Sequence, residues 1–264
     1  MNILVCVKQV PEPETALDWG TGQPLTAAEG ARMVMSGLDA HALECALSLA
    51  HGQGKDQARD QPRARVEAVT VGPPAAAAVL ERARGMGAAA GFHILSPGQE
   101  DPPALSVAAW LAAWARGRAY DLILTGAMSQ DAMQGQVGPL LAGLLGLDWA
   151  SLAVKMSLAA PGRLYVEREI EAGRRQCLEL DLPALVSVQA SPRQPRYPSL
   201  SNLLKAKASP PEVIDAQGLP APAPRQALLG LARPQRRRAG RVLSGSLPDQ
   251  ATELCAILRR RGLL

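Results

Sequence analysis

The 264-residue sequence holds a single phenylalanine and only 3% aromatic residues, which excludes a core built on large rings. Ala and Leu supply much of its 47% apolar content, so the core is expected to be small-residue rich and tightly packed. Cysteine is scarce as well: Cys6, Cys45, Cys177 and Cys255 include no pair at a CxxC or other metal-ligand spacing. That excludes a thiolate metal site and leaves structural thiols of a reducing compartment. No segment reaches the roughly eighteen apolar residues that a membrane span requires. The short apolar run within Met1 to Val10 lacks a cleavage-site pattern and reads as a strand, not a signal peptide. A soluble, cytoplasmic protein without membrane insertion is the expectation.

Catalytic constellations are missing too. Histidine occurs three times, as His41, His51 and His93, and none sits in a motif. His93 falls within a predicted strand and reads as a packed residue. Neither a nucleophile elbow nor a plausible pair of carboxylates is visible, and no Walker sequence or GxGxxG follows the first strand. A chain with no acid–base apparatus suits a carrier or a scaffold better than an enzyme.

The formal net charge of +4 could point to nucleic acid, but the cations form no stripe. They gather late, in Arg233, Arg236, Arg237, Arg238 and Arg241 and again in Arg259, Arg260 and Arg261, with no aromatic residue between them. A single-strand surface interleaves the two. A solvated or partner-facing tail is the better reading, with no nucleic-acid partner.

What is present alternates in rhythm. Asn2 to Lys8 (NILVCVK) is a continuous apolar run, as expected of a strand buried on both faces. From Val10 to Arg32 the composition predicts an ordered loop, and Leu38 to Ala50 places Leu43, Ala46, Leu47 and Ala50 on one helical face. A polar stretch, His51 to Arg63, precedes the strand Val66–Val71. Pro73 and Pro74 then open a helix over Ala75–Arg84, with Gly85 and Gly87 as its stop. Phe92–Leu95 is a third strand, and Leu105–Arg116 is a helix whose Trp110 and Trp114 share one face as packing residues. Asp121–Thr125 is the fourth strand, followed by a glycine-rich loop and a helix near Gln136.

This alternation predicts an α/β fold with a doubly wound, mostly parallel sheet of the Rossmann-like, adenine-nucleotide-binding kind. Beyond Trp149, four closely spaced segments, Ala153–Met156, Leu164–Glu169, Gln176–Leu180 and Ala184–Val188, predict an antiparallel addition. The opposite charges along Val166–Glu171 mark an exposed polar strand face. After Ser209 the chain is proline-punctuated, then basic, and ends in a helix near Pro248–Arg261. The expected division is 1–208 as the α/β domain and 209–264 as an extended C-terminal arm.

Two segments carry candidate sites. Gly126, the polar loop to Gly135, and Gln136-Val137-Gly138 entering a helix would offer free backbone N–H groups and a helix dipole to a phosphate. A structural glycine turn is the bland alternative. In PRYPSLSNLLKAK, Leu200 follows a proline-stiffened turn, with Leu203 and Leu204 one helical turn on. It is either a cap on the chain's own core or an anchor for a partner's pocket.

The same pieces, in this order, resemble the beta subunit of electron transfer flavoprotein over nearly the whole chain. ILVCVKQVP is similar to that family's first strand and turn, and AVTVGPP with the later MGA to its second unit. DLILTG followed by QDAMQGQVGPLLAGLL resembles the nucleotide loop. VEREIEAGRRQCLELDLPALVSV resembles the most diagnostic stretch, and PRYPSLSNLLKAK the recognition loop.

The resemblance implies a non-catalytic subunit of a heterodimer with an alpha subunit, whose FAD lies mainly on alpha. It implies a structural AMP on this chain, held by Cys6, by Ser36, Gly37, Leu38 and Asp39, and by Val71. The rest of that site would be Asp131, Gln134, Gly135, Gln136, Val137, Gly138, Pro139, Leu140, Leu141 and Ala142. Tyr197, Leu200, Leu203 and Lys205 would dock a flavin dehydrogenase, the electron donor, with a membrane quinone oxidoreductase as acceptor. The chain departs from the family at Ser36-Gly37, where Asn-Pro is usual, at Ala127-Met128, where Lys-Gln is usual, and at Ala89, often Asp. Two alternatives stand beside this reading. One is an electron-bifurcating relative with a second FAD in place of AMP and an NADH site. The other is a universal-stress-type nucleotide-binding regulator.

Overall fold

A computed structural model describes residues 1–12, 32–51, 64–98, 102–223 and 240–264. The chain divides into two compact units, Met1–Leu231 and Ala232–Leu264. The first begins with β1 (Asn2–Cys6), β2 (Gln9–Pro11), β3 (Met33–Met35), α1 (Gly37–His51), β4 (Arg65–Gly72), α2 (Ala77–Met86), β5 (Ala90–Leu95) and α3 (Ala104–Ala115). It continues with β6 (Leu122–Gly126), α4 (Val137–Leu145), β7 (Asp148–Ala160), β8 (Arg163–Glu169), β9 (Arg175–Asp181), β10 (Ala184–Val188), α5 (Leu200–Ala208) and β11 (Glu212–Asp215).

The apolar run of β1 is explained by what lies on each side of it. Successive side chains of a strand point to opposite faces. Ile3 and Val5 join a core with Leu43, Ala46 and Leu47 of α1 and Val79 and Leu80 of α2. Leu4 and Cys6 join a second core with Ala108, Leu111 and Trp114 of α3 and Leu141 and Ala142 of α4. Helices therefore cover both faces, and the four buried positions Ile3–Cys6 are all apolar, with the polar Asn2 left at the exposed end. Trp110 and Trp114 are buried as expected, and Trp114 packs against Phe92 with ring centroids 4.9 Å apart. His93 is buried, and its Nε2 lies 3.1 Å from the Gly72 carbonyl oxygen.

Among the described residues, nine strands form one sheet in the order β11-β5-β4-β1-β6-β10-β7-β8-β9, and β2 and β3 form a small antiparallel pair. From β11 to β7 the pairing is parallel, while β8 and β9 add antiparallel. The chain runs outward from β1 through β4 to β5, then returns to place β6 on the other side of β1. That reversal makes a switch point between β1 and β6.

Several expectations need correction. Ala184–Val188 does not belong to the antiparallel group: β10 lies parallel between β6 and β7 and is buried along all five residues. Its closeness in sequence to β9 misled, since a buried parallel strand and a buried antiparallel one present the same apolar run. The strand read at Ala153–Met156 extends over Asp148–Ala160. Gly85 does not end α2, which runs to Met86 and stops at Gly87, whose φ of +132° is open to glycine. Of the loop read from Val10 to Arg32, Val10 and Pro11 pair in β2, and residues 13–31 lie outside the described residues. So do residues 52–63 of the polar stretch and Arg233, Arg236, Arg237 and Arg238. Beyond Ser209, Glu212–Asp215 pairs with β5 at the sheet edge.

In the second unit, Ser246 and Asp249 form a reciprocal capping box at the start of α6 (Leu247–Arg260), and Arg241 pairs with Glu253 at 2.6 Å.

Candidate functional site

The carboxyl ends of β1 and β6 are fastened together by Asp39. Ser36 N–H donates to the Lys8 carbonyl at 3.0 Å, and the Ser36 carbonyl accepts the first bond of α1 from Ala40 N–H. This sets Asp39 in the first turn, where its carboxylate accepts from Lys8 N–H at 2.7 Å and from Gly126 N–H at 3.0 Å. One buried side chain thus links the exit of β1, the start of α1 and the exit of β6. Burial pushes its pKa up to about 7, against the two N–H donors and the Lys8 charge, which favour the ionised form, with Asp131 adding a smaller upward push.

Two further bonds bind the loop after β6 to the same place. Gln130 Oε1 accepts from Gly37 N–H at 2.7 Å, and Lys8 Nζ pairs with Asp131 Oδ2 at 2.7 Å. Burial opposes ionisation of Asp131, but the Lys8 charge and hydrogen bond, with the Ser129 side chain and the Ala132 backbone N–H, hold its pKa below the ordinary value. The loop then bends through Met133 (φ +51°) and Gly135 (φ +61°) into α4.

The first turn of α4 is open to an anion. Gln136 supplies no side-chain cap and the turn contains no acidic residue. Leu140 N–H donates to the Gln136 carbonyl, so the N–H groups of Val137 and Gly138 precede the first intrahelical bond, and Pro139 has none to offer. Two free donors at the positive end of a helix dipole suit a phosphate. Gly138 brings this turn hard against the sheet: a Cβ there would overlap Ser187 Oγ and lie 2.9 Å from Thr125 Oγ1, the two hydroxyls of a buried pair at 2.9 Å. The Ser36 hydroxyl is buried and without a hydrogen-bond partner among the described residues. An unpartnered hydroxyl and an uncapped helix start at one sheet edge suit a phosphate-bearing ligand.

Of the residues expected here, Ser36, Gly37, Asp39 and Asp131 are tied into this network, and Leu38 lies against Gly126. Gln134 and Gln136 are exposed and Leu140 is half-buried. Cys6, Leu141 and Ala142 are packed in the second core, with Val71 at its margin. Burial, with Asp39 adding, holds the Cys6 thiol protonated. Lys8, Gln130, Thr125 and Ser187 were missed. A signal existed for Lys8, a charge placed directly after a strand buried on both faces. None existed for Thr125 and Ser187, which meet only through parallel pairing 62 residues apart.

The second candidate region lies on α2. Ser199 caps α5 by accepting from Asn202 N–H at 3.2 Å. Leu203 and Pro198 approach within 2.7 and 2.8 Å of where a Cβ on Gly85 would stand. The glycine is what allows α5 so close. Leu200 does not cap the core: it is 73% exposed, with Leu204 at 60% and Tyr197 at 90%, and Lys205 is exposed beside them.

Among the described residues, no helix is long and apolar enough to cross a membrane, and no cluster of three or more His, Cys, Asp or Glu could hold a metal ion.

Residues 25–218 match the family model described as the electron transfer flavoprotein domain. Electron transfer flavoprotein subunit beta of Bacillus subtilis is 29% identical over 264 residues, 98% of each chain. The mitochondrial subunit beta of Oryza sativa subsp. indica is 30% identical over 247 residues, 92% of this chain and 94% of its own. The Mus musculus subunit beta is 36% identical over 154 residues, 58% of this chain and 60% of its own.

Proposed function

The chain belongs to the electron transfer flavoprotein family, on its beta-subunit side, and from that premise we propose that it is the beta partner in a heterodimeric electron carrier. The heterodimer takes electrons from a flavin dehydrogenase and delivers them to a quinone oxidoreductase through FAD held mainly by the alpha subunit. This chain's share is to hold AMP, to support the alpha subunit, and to dock the dehydrogenase through Leu200. The C-terminal arm, 209–264, would pack on the alpha subunit.

The observation that carries the nucleotide reading is the open first turn of α4 at the switch point of the sheet, where ligands of parallel sheets sit. Val137 and Gly138 N–H would bind the phosphate, and Asp39 would hold the loops that surround it. Bound there, AMP supplies no chemistry; it completes the carboxyl edge. FAD supplies the electron carriage.

Co-expression with an alpha-type subunit, followed by mass analysis of released nucleotides, tests the reading. One FAD and one AMP per heterodimer is the expected result. Two FAD with no AMP would replace it with the bifurcating alternative. A colourless homodimer would point to a stress-type regulator and overturn the proposal.

A further inference from the structure

Four residues before the exposed Leu200, the chain is fastened by an ion pair whose carboxylate is buried and whose guanidinium is about one-third exposed. Glu44 lies in the middle of α1, its side chain 3% exposed. Its carboxylate takes three donors from one residue: Arg196 Nε at 2.8 Å, Arg196 Nη2 at 2.8 Å and the Arg196 backbone N–H at 3.1 Å. Ser48 Oγ adds a fourth at 3.2 Å. The fork fixes the Arg196 side chain and the backbone bond fixes its main chain. Four residues on stands Leu200.

Other fasteners flank this one. His41, one helical turn before Glu44, meets Ser191 through its Nδ1, 2.8 Å from the hydroxyl and 3.2 Å from the backbone N–H. Beyond Leu200, Leu203 packs on Gly85, and Arg84 donates to the carbonyls of Ala206 and Ser209. The segment from Ser191 to Ser209 is pinned at both ends to α1 and α2.

Burying the Glu44 carboxylate costs desolvation that its pairing with Arg196 must offset, so the pair is a poor device for stability alone. What it provides is direction: a bidentate pair with a backbone bond tolerates one geometry, where an apolar contact tolerates many. A loop ordered in advance loses less freedom on association.

We infer that Glu44 and Arg196 are positioning residues for docking, a latch that holds Tyr197 and Leu200 at the angle the dehydrogenase meets. This rests on the reading that Leu200 is the docking anchor. Latch and anchor are separable by experiment.

The heterodimer is prepared with Leu200→Ala, Glu44→Gln and Arg196→Lys, each beside wild type. The probe is a donor dehydrogenase selected for reducing the wild-type flavin, with the heterodimer as the varied substrate. Hydrogen exchange over residues 197–204 is followed in parallel. Glu44→Gln and Arg196→Lys are expected to raise KM about three- to tenfold, the cost of ordering one or two side chains, with kcat and flavin content unchanged and exchange at 197–204 faster. Leu200→Ala is expected to raise KM without changing exchange. Should KM stay unchanged in Leu200→Ala, the docking reading falls and the latch with it. A raised KM in Leu200→Ala beside an unchanged KM in both latch variants would overturn the latch alone. Lower thermal stability with KM and exchange at wild-type values would also overturn it, leaving the pair a structural one.

Discussion

The two halves of the large sheet meet the same requirement, satisfied backbone hydrogen bonds, with opposite surroundings. In the parallel half, β10 is buried along its whole length and β1 along four of five residues, because α1 and α2 cover one face and α3 and α4 the other. In the antiparallel extension, β9 has no fully buried residue, and β8 buries only Leu164 and Val166. There the outward positions carry cross-strand ion pairs: Lys155–Glu167 at 2.7 Å, Arg163–Asp181 at 2.9 Å and Arg163–Glu179 at 3.2 Å. The closed half supports itself and frames the candidate nucleotide edge, while the open half presents a charged face.

If the closed half carries the stability, the largest effect comes from its centre. Leu185→Ala removes a fully buried side chain from β10 and is expected to cost about 2–5 kcal/mol in urea denaturation. A loss no greater than that of a surface substitution would break the contrast between halves.

Gly138→Ala should follow, at about 1–3 kcal/mol, because the new methyl meets the Thr125–Ser187 hydroxyl pair and must push α4 off the sheet. Comparing nucleotide retention in the folded variant with its stability loss shows whether that close approach also shapes the anion site.

An effect graded with pH, of which wild type shows only part between pH 5 and 8, is expected from Asp39. Its folded pKa of about 7 lies above the ordinary carboxylate value of 3.8, so the folded state holds a proton there that the unfolded chain releases. The sign follows: this contribution is complete in acid, declines as pH rises through that window, and is flat above it. Denaturation of wild type and Asp39→Asn at pH 5, 6, 7 and 8 should therefore give a difference that slopes downward to about pH 7 and then levels. A flat difference across all four would mean that Asp39 ionises as freely as it does in water.

The smallest effect belongs to the open half. Arg163→Ala removes the two exposed ion pairs that Arg163 makes and is expected to leave the melting temperature where it was, since exposed pairs are screened and cost side-chain freedom to hold. A clear loss would show that the extension depends on its charges more than its burial suggests.

Much of the fold was legible because periodicity reports burial directly. NILVCVK could only be a strand covered on both faces, and the helices around Leu43 and Trp110 followed from apolar spacing. The strand Ala184–Val188 was found but assigned the wrong neighbours, since its own residues specify apolar surroundings and not the direction of the strand beside it. The helix start at Val137 and the glycines before it were visible as a candidate anion site, while Lys8 and Gln130 emerged only when the loops after β1 and β6 were brought together.

The sequence by itself determined the alternation of the main strands and helices, the two-sided burial of β1, and the resemblance that the family match bears out. Local spacing suffices for these because each depends on neighbours a few residues away. The tertiary structure alone decided that Asp39 joins two strand exits and that Leu200 stands in solvent, held by Arg196 on Glu44, 152 residues distant in the chain. Contacts at such separations are set by how the helices pack on the sheet, and no periodicity in either segment records its partner.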